Sequence, residues 1–235
     1  MALFGIMFKL SGVDYDDIVG SADNALKAIV IPLAVVAVAL IIVTTLLGWW
    51  KPALCDEHRA RGWIMAVPIV MLTVTIAGIN YGHLGDLDSG LLLWIAVGTL
   101  LVGFSEELMY RGLVLVSFRG AMRESHAWFW SSVAFGLLHG INAFLGQDFV
   151  PTIVQIVSAF VLGSGFYVAR RVSGVIFLPM LMHTLWDFST FTGDGYVLGR
   201  MASTISLVAV LIGLIAGRHS LFGSGQTEPA AETTV

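Results

Sequence analysis

One cysteine, Cys55, stands in a chain of 235 residues. It leaves no internal disulfide and no cysteine-based zinc site. Charge is scarce as well. Asp, Glu, Lys and Arg make up 12% of the chain, against ~25% in an ordinary soluble domain. That scarcity excludes a disordered chain and a charge-laced coiled coil. The net charge of −4 leaves no basic footprint for nucleic acid. The first 27 residues do not read as a cleaved signal peptide either. The apolar start from Ala2 to Phe8 is short and is followed by Asp14, Asp16, Asp17 and Asp23, whereas a signal peptide places its positive charge first. No internal repeat is visible, and the HExxH zinc motif is absent.

Apolar residues make up 57% of the chain, and the mean hydropathy is +0.87. A core that apolar needs an apolar solvent, so the composition implies an all-α polytopic membrane bundle. Seven apolar stretches follow one another: Ala28–Trp50, Trp63–Asn80, Leu91–Phe118, Trp128–Leu145, Val150–Ala169, Val175–Phe191 and Leu198–Ala216. At ~20 residues per crossing they predict about seven spans. The third is long for one span, so it either tilts or breaks near Ser105. Residues 1–27 read as an interfacial or flexible arm, 28–218 as one transmembrane bundle, and 219–235 as a disordered tail, being small, polar and acidic.

Loop charge orients the bundle. Lys51, Arg59 and Arg61 follow the first stretch, Arg119 and Arg123 the third, Arg170 and Arg171 the fifth, and Arg218 the seventh. The alternate loops hold Asp86, Asp88, Asp148 and Asp194, with Arg200 the one basic residue nearby. The positive-inside rule then predicts the N-terminus outside and the C-terminus cytoplasmic, and the protein is expected in the plasma membrane.

Ionisable groups within a span cost at least ~2.5 kcal/mol at mid-bilayer for a carboxylate. Apart from Arg200 at the very start of the seventh stretch, six lie in the predicted spans: Glu106, Glu107, Arg111, His139, His183 and Asp187. At ~1.5 Å per residue, Glu106, His139 and His183 fall about 18, 16 and 12 Å from the inner ends of their spans. Three groups far apart in sequence thus share a depth. Glu107 and Arg111 are at i,i+4 and can pair, while Glu106 points about 100° away. His183 and Asp187 are also at i,i+4, as are Phe135 and His139. The short step from His183 lets Asp187 fix the imidazole tautomer. Pro179, four residues before His183, is expected to kink its helix. Tyr110 and Trp186 read as cavity lining. A buried network gluing three helices and a proton or ion pathway use the same residue types. A coupled transporter and a non-enzymatic scaffold or immunity protein therefore stand beside an enzyme. A transporter would commonly show a repeat or paired broken helices.

The runs Glu106-Glu107-Leu108-Met109-Tyr110-Arg111 (EExxxR), Phe135-Gly136-Leu137-Leu138-His139 (FxxxH) and His183-Thr184-Leu185-Trp186-Asp187 (HxxxD) come in an order and spacing that resemble the CPBP intramembrane proteases. This is the CAAX-protease and bacteriocin-processing or Abi family, which includes Rce1-type prenyl endopeptidases. The resemblance covers about residues 92–188. It implies an intramembrane endopeptidase acting on a peptide or membrane-protein substrate among lipids, with a cavity open towards the cytoplasm. It implies Glu106 as general base, His139 holding the attacking water, His183 and residue 187 stabilising the oxyanion, and Glu107, Arg111 and Phe135 in support. The physics agrees, since desolvation makes a carboxylate a stronger base and donors aimed at an oxyanion act strongly in a dry site. An ionised Asp187 does not donate to an oxyanion as an asparagine would. The family is often called metalloprotease. Glu106, His139, His183 and Asp187 are zinc ligands by type, so Zn2+ is the cofactor the sequence leaves open.

Overall fold

The structure is a computed structural model and describes residues 2–57, 59–60, 62–193 and 196–222. Eight main helices run in order: α1 Ala2–Ser11, α2 Ala22–Leu46, α3 Trp63–Ala77, α4 Ser89–Arg119, α5 Glu124–Leu138, α6 Phe149–Ser173, α7 Phe177–Phe191 and α8 Val197–Ala216. Short helical turns at Trp50–Leu54, Tyr81–Leu84, Ile141–Leu145 and Arg218–Phe222 join or end them. Among the described residues there is no strand beyond an isolated antiparallel bridge between Cys55 and Val175.

Local chemistry fixes several boundaries. The Ser21 side chain accepts from the Asn24 amide at the start of α2, and Asp88 accepts from the Leu91 amide at the start of α4. Each such cap contributes about 1 kcal/mol. Gly174 ends α6 at φ +73°, a left-handed turn natural to glycine. The turn leaves the Gly174 carbonyl accepting from the Asp56 amide at 2.9 Å.

Large apolar side chains face outward along the helices, among them Val38 and Ile42 on α2 and Leu211 and Ile215 on α8. In water they would aggregate, and in lipid they are the solvent-facing surface. Among the described residues four helices, α2, α4, α6 and α8, are long and apolar enough to cross a membrane. The other three expected spans are shorter. α5 and α7 have 15 residues each, about 22 Å of helix against a ~30 Å hydrocarbon core. Trp63–Ala77 is likewise a shorter apolar helix.

The structure bears on five sequence expectations. The arm before residue 28 is helical at Ala2–Ser11, and its Phe8 is 1% exposed, packed with Ala28 and Leu145. Burial of Phe4 and Phe8 at i,i+4 offsets the ordering cost that a flexible arm would avoid. Secondly, of the two alternatives for the long third stretch, a tilt or a break near Ser105, the break does not occur. α4 continues to Arg119 through a wider, π-helical stretch at Leu108–Val114, a local form frequent at functional sites. Thirdly, Pro179 causes no interior kink. α7 begins at Phe177, which puts the proline in the first turn, where its missing N–H has no intrahelical partner to lose. Fourthly, the expected fourth span divides: α5 stops at Leu138, His139 caps it, and Ile141–Leu145 is a separate turn. Of the tail expected from 219, Arg218–Phe222 is helical with Leu221 buried. The remainder, and Asp194 and Arg61, lie outside the described residues.

The packing brings the motif helices together. α7 lies along α4, and α6 along α5. A methyl group on Gly103 of α4 would sit 2.7 Å from the Met180 carbonyl oxygen of α7, and one on Gly136 of α5 would sit 2.8 Å from that of Ile156. Both are too close for a Cβ, so these helices approach at their glycines.

At one end of the bundle lies a buried charge network. Asp56 pairs with Arg119 at 2.9 Å and Arg171 at 3.3 Å, and Glu124 pairs with Arg119 at 2.7 Å and accepts from the Tyr167 hydroxyl at 2.7 Å. Arg170, fully buried, donates to the carbonyls of Pro52, Ala53 and Arg111. Arg119, Arg170 and Arg171 read from the sequence as loop charges. In the fold they are the joints that tie α4, α5 and α6 to the 50–57 segment.

Candidate active site

Glu106 and Glu107 end the α-helical part of α4, one turn before Arg111. Glu107 is fully buried, and its Oε1 accepts from Arg111 Nη1 at 2.9 Å. The same oxygen accepts from His183 Nδ1 at 3.0 Å. An oxygen already taking a guanidinium proton is the acceptor, so the imidazole proton sits on Nδ1. His183 is thereby turned so that Nε2 faces Asp187 Oδ2 at 3.5 Å and Glu106 Oε2 at 4.0 Å.

The sequence gives the orienting task to Asp187; the structure gives it to Glu107. Asp187 stands on the other ring nitrogen. A carboxylate and an imidazole lone pair repel when they face each other, so one proton must lie among His183 Nε2, Asp187 and Glu106. Glu106 itself is nearly buried, and its Oε2 has no hydrogen-bond partner.

His139, at the end of α5, has Nδ1 3.1 Å from the Phe135 carbonyl oxygen. A carbonyl only accepts, so His139 carries its proton on Nδ1 and its Nε2 lone pair is free to accept. Phe135 is 2% exposed and lies at the centre of the cluster. Arg111 Cζ lies 4.0 Å over its ring, and His139 and His183 meet it edge-on at 5.3 and 5.7 Å between centroids. Phe166 of α6 stacks on His183 at 4.8 Å. Nothing in the sequence separates Phe166 from its apolar neighbours. Gly163, one turn before it, leaves the room that Arg111 and Phe135 occupy.

Glu106, Phe135, His139, His183, Trp186 and Asp187 line one cavity of about 550 Å³. Tyr110 is buried edge-on against Phe135 at 5.4 Å and is not among the lining residues. Much of the remaining wall is apolar, including Phe4 and Phe8 of α1 and Leu33 of α2. The lining continues to Tyr15, Asp16, Gln147 and Thr190, at the end opposite the arginine network. Burial pushes the Tyr15 phenol up to about 12, with Asp16 adding to the shift, so it stands at this mouth as a neutral hydrogen-bonding group. The lining at Tyr15, Asp16, Gln147 and Thr190 and the arginine network thus lie towards opposite ends of the bundle. Among the described residues no three His, Cys, Asp or Glu side chains are grouped to hold a metal ion. The four expected ligands share the cavity without that convergence, and no step below passes through a metal.

Residues 88–189 match the family model described as type II CAAX prenyl endopeptidase Rce1-like. The matched segment holds α4 to α7 and all three motifs, and it supports the CPBP/CAAX protease family. No curated protein and no solved structure matches the chain.

Proposed function

We propose that this multi-pass membrane protein, whose 88–189 segment is of the CPBP/CAAX protease family, hydrolyses a peptide bond in or beside the membrane with water activated by Glu106. The observation that carries this reading is the unpartnered Glu106 carboxylate in the same cavity as two histidines. A structural carboxylate in lipid would be expected to be held as Glu107 is, whose Oε1 accepts from both Arg111 and His183 although its Oε2, like that of Glu106, has no hydrogen-bond partner among the described residues. In the proposed reaction a water lies between Glu106 and His139 Nε2. Its proton passes to Glu106 as its oxygen bonds to the scissile carbonyl carbon. The proton held between His183 Nε2 and Asp187 faces the developing oxyanion. The carbon–nitrogen bond then breaks as Glu106 returns its proton to the leaving amine. The test compares purified wild type with Glu106→Ala on a library of apolar membrane peptides, with and without chelator. The wild type is expected to cleave some members and the variant none. Cleavage by both removes Glu106 from the reaction. Cleavage lost to chelator and restored by Zn2+ would establish the metal that the donor types admit.

Position 187 gives a sharper forecast. Because Glu107 already fixes the His183 ring, Asp187→Asn is expected to keep activity near neutral pH, its amide supplying an N–H where Asp187 needs a shared proton. Asp187→Ala should lose most of it. Initial rates for the three proteins decide the matter, with metal content by elemental analysis. An Asn variant as inactive as Ala, or one that loses bound zinc, would return Asp187 to a carboxylate-specific role.

Lys51, Arg59 and Arg123, which stay exposed outside the buried network, support N-out, C-in topology. Reporters fused in the 81–90 and 189–197 loops are expected to read external, and the cavity mouth with them. Cytoplasmic signals from both would invert the protein and put the mouth in the cytoplasm.

A further inference from the structure

Two polar residues in the cavity belong to none of the three motifs. Asn142 lies one turn past His139, its amide N–H donating to the His139 carbonyl at 3.1 Å. Gln155 faces it from α6, and Asn142 Nδ2 donates to Gln155 Oε1 at 2.9 Å. Both line the same cavity as Glu106, His139, His183 and Asp187, and both are half-buried.

That one bond uses only part of what two carboxamides offer. Asn142 Oδ1 remains as an acceptor and the Gln155 amino group as a donor, and neither has a hydrogen-bond partner among the described residues. If the pair served only to join the Ile141–Leu145 turn to α6, it would supply one bond, averaging about 0.6 kcal/mol within a membrane. It would also leave one donor and one acceptor of the pair unused on the wall of a largely apolar cavity. A ligand carrying one acceptor and one donor side by side meets both. An extended peptide backbone carries such a couple in each C=O and N–H, and backbone pairing gives affinity without reading side chains. The pair is also uncharged, so it leaves the charge balance of Glu106, His183 and Asp187 undisturbed.

We infer that Asn142 and Gln155 form a substrate-positioning pair that hydrogen-bonds the backbone of an extended peptide beside the scissile bond. The inference rests on the protease reading above and names the part of the substrate that is held.

The experiment uses the full chain in detergent micelles and the library peptide that wild type cleaves fastest. Analogues of that peptide are N-methylated at one backbone amide at a time. Asn142→Leu and Gln155→Leu are expected to raise KM about tenfold, the worth of one or two lost hydrogen bonds, with kcat little changed, as for binding lost equally from ground and transition states. N-methylation at one position should raise the wild-type KM to a similar degree and add little in the Leu variants. The exchanged protein, Asn142→Gln with Gln155→Asn, keeps one donor and one acceptor and should recover much of the affinity. Should a leucine variant fail to fold, the exchanged protein and Asn142→Ser carry the same comparison. A purely structural pair would instead lower thermal stability and leave every N-methyl effect equal in wild type and variants, which overturns the inference. No cleavage of any peptide by wild type removes the protease reading and this inference together. Cleavage without the N-methyl coupling removes the inference alone.

Discussion

Glutamine in place of Glu106 is expected to abolish cleavage and leave the fold as stable as before, or more stable. The two adjacent acids make this a test with an internal contrast. Glu106 Oε2 is buried without a hydrogen bond, and its nearest ionic neighbour is His183 Nε2 at 4.0 Å. Removing its charge therefore breaks no strong contact and relieves the cost of a carboxylate in an apolar cavity. As general base, however, it has no substitute in the amide, and such groups contribute about 10²–10⁴-fold in rate. Initial rates beside thermal unfolding in detergent separate the two effects. A glutamine variant within tenfold of wild type would show that another group takes the proton. One that unfolds would make Glu106 a structural acid.

Glu107 is expected to behave in the opposite way. It is fully buried, with Arg111 2% exposed and 2.9 Å away. Removing one member of such a pair leaves an uncompensated charge, typically at 3–5 kcal/mol. Glu107→Leu and Arg111→Leu should each lower stability by about that amount. The double variant should recover most of the loss, because no lone charge remains. Recovery of fold should not bring recovery of activity, since His183 Nδ1 donates to the same Glu107 oxygen and the double variant leaves the ring unheld. Unfolding curves for the four proteins form a double-mutant cycle. Single losses that simply add in the double variant would mean that the ion pair carries no coupling.

The sequence makes the motif residues legible because helical spacing is a local property. Glu107 and Arg111 pair at i,i+4 as the spacing predicts. His183 and Asp187, one turn apart, do face each other. What spacing does not contain is the pairing between helices. That one Glu107 oxygen serves both Arg111 and a histidine 76 residues later depends on α4 and α7 closing at Gly103, which is a tertiary fact. Phe166 is hidden for the same reason, one aromatic ring among many until stacked on His183. Hydropathy finds where the apolar helices lie and misjudges their length. The stretch through His139 reads as a single span because Leu137, Leu138, Ile141 and Phe144 are apolar on both sides of the turn. Loop charge is misread at Arg170 and Arg171, which are buried in the network with Asp56. Counting cations along a chain does not show which of them are already neutralised.

The first helix closes one side of the cavity with Phe4 and Phe8, while Leu3, Ile6 and Leu10 on its other side are exposed. Its one described side-chain hydrogen bond to the rest of the bundle runs from Lys9 to the Leu145 carbonyl at 3.4 Å, and Gly12, at φ +70°, is the bend that follows it. Hydrocarbon tails are as apolar as leucine, so no hydrophobic force prefers this helix against the bundle over this helix among lipids. Packing of Phe4 and Phe8 and the single Lys9 hydrogen bond hold it in place. Another apolar helix arriving through the bilayer would compete for the same berth on equal terms. The side of the molecule where a membrane-borne chain meets least resistance is thus the side that the first ten residues of helix now fill.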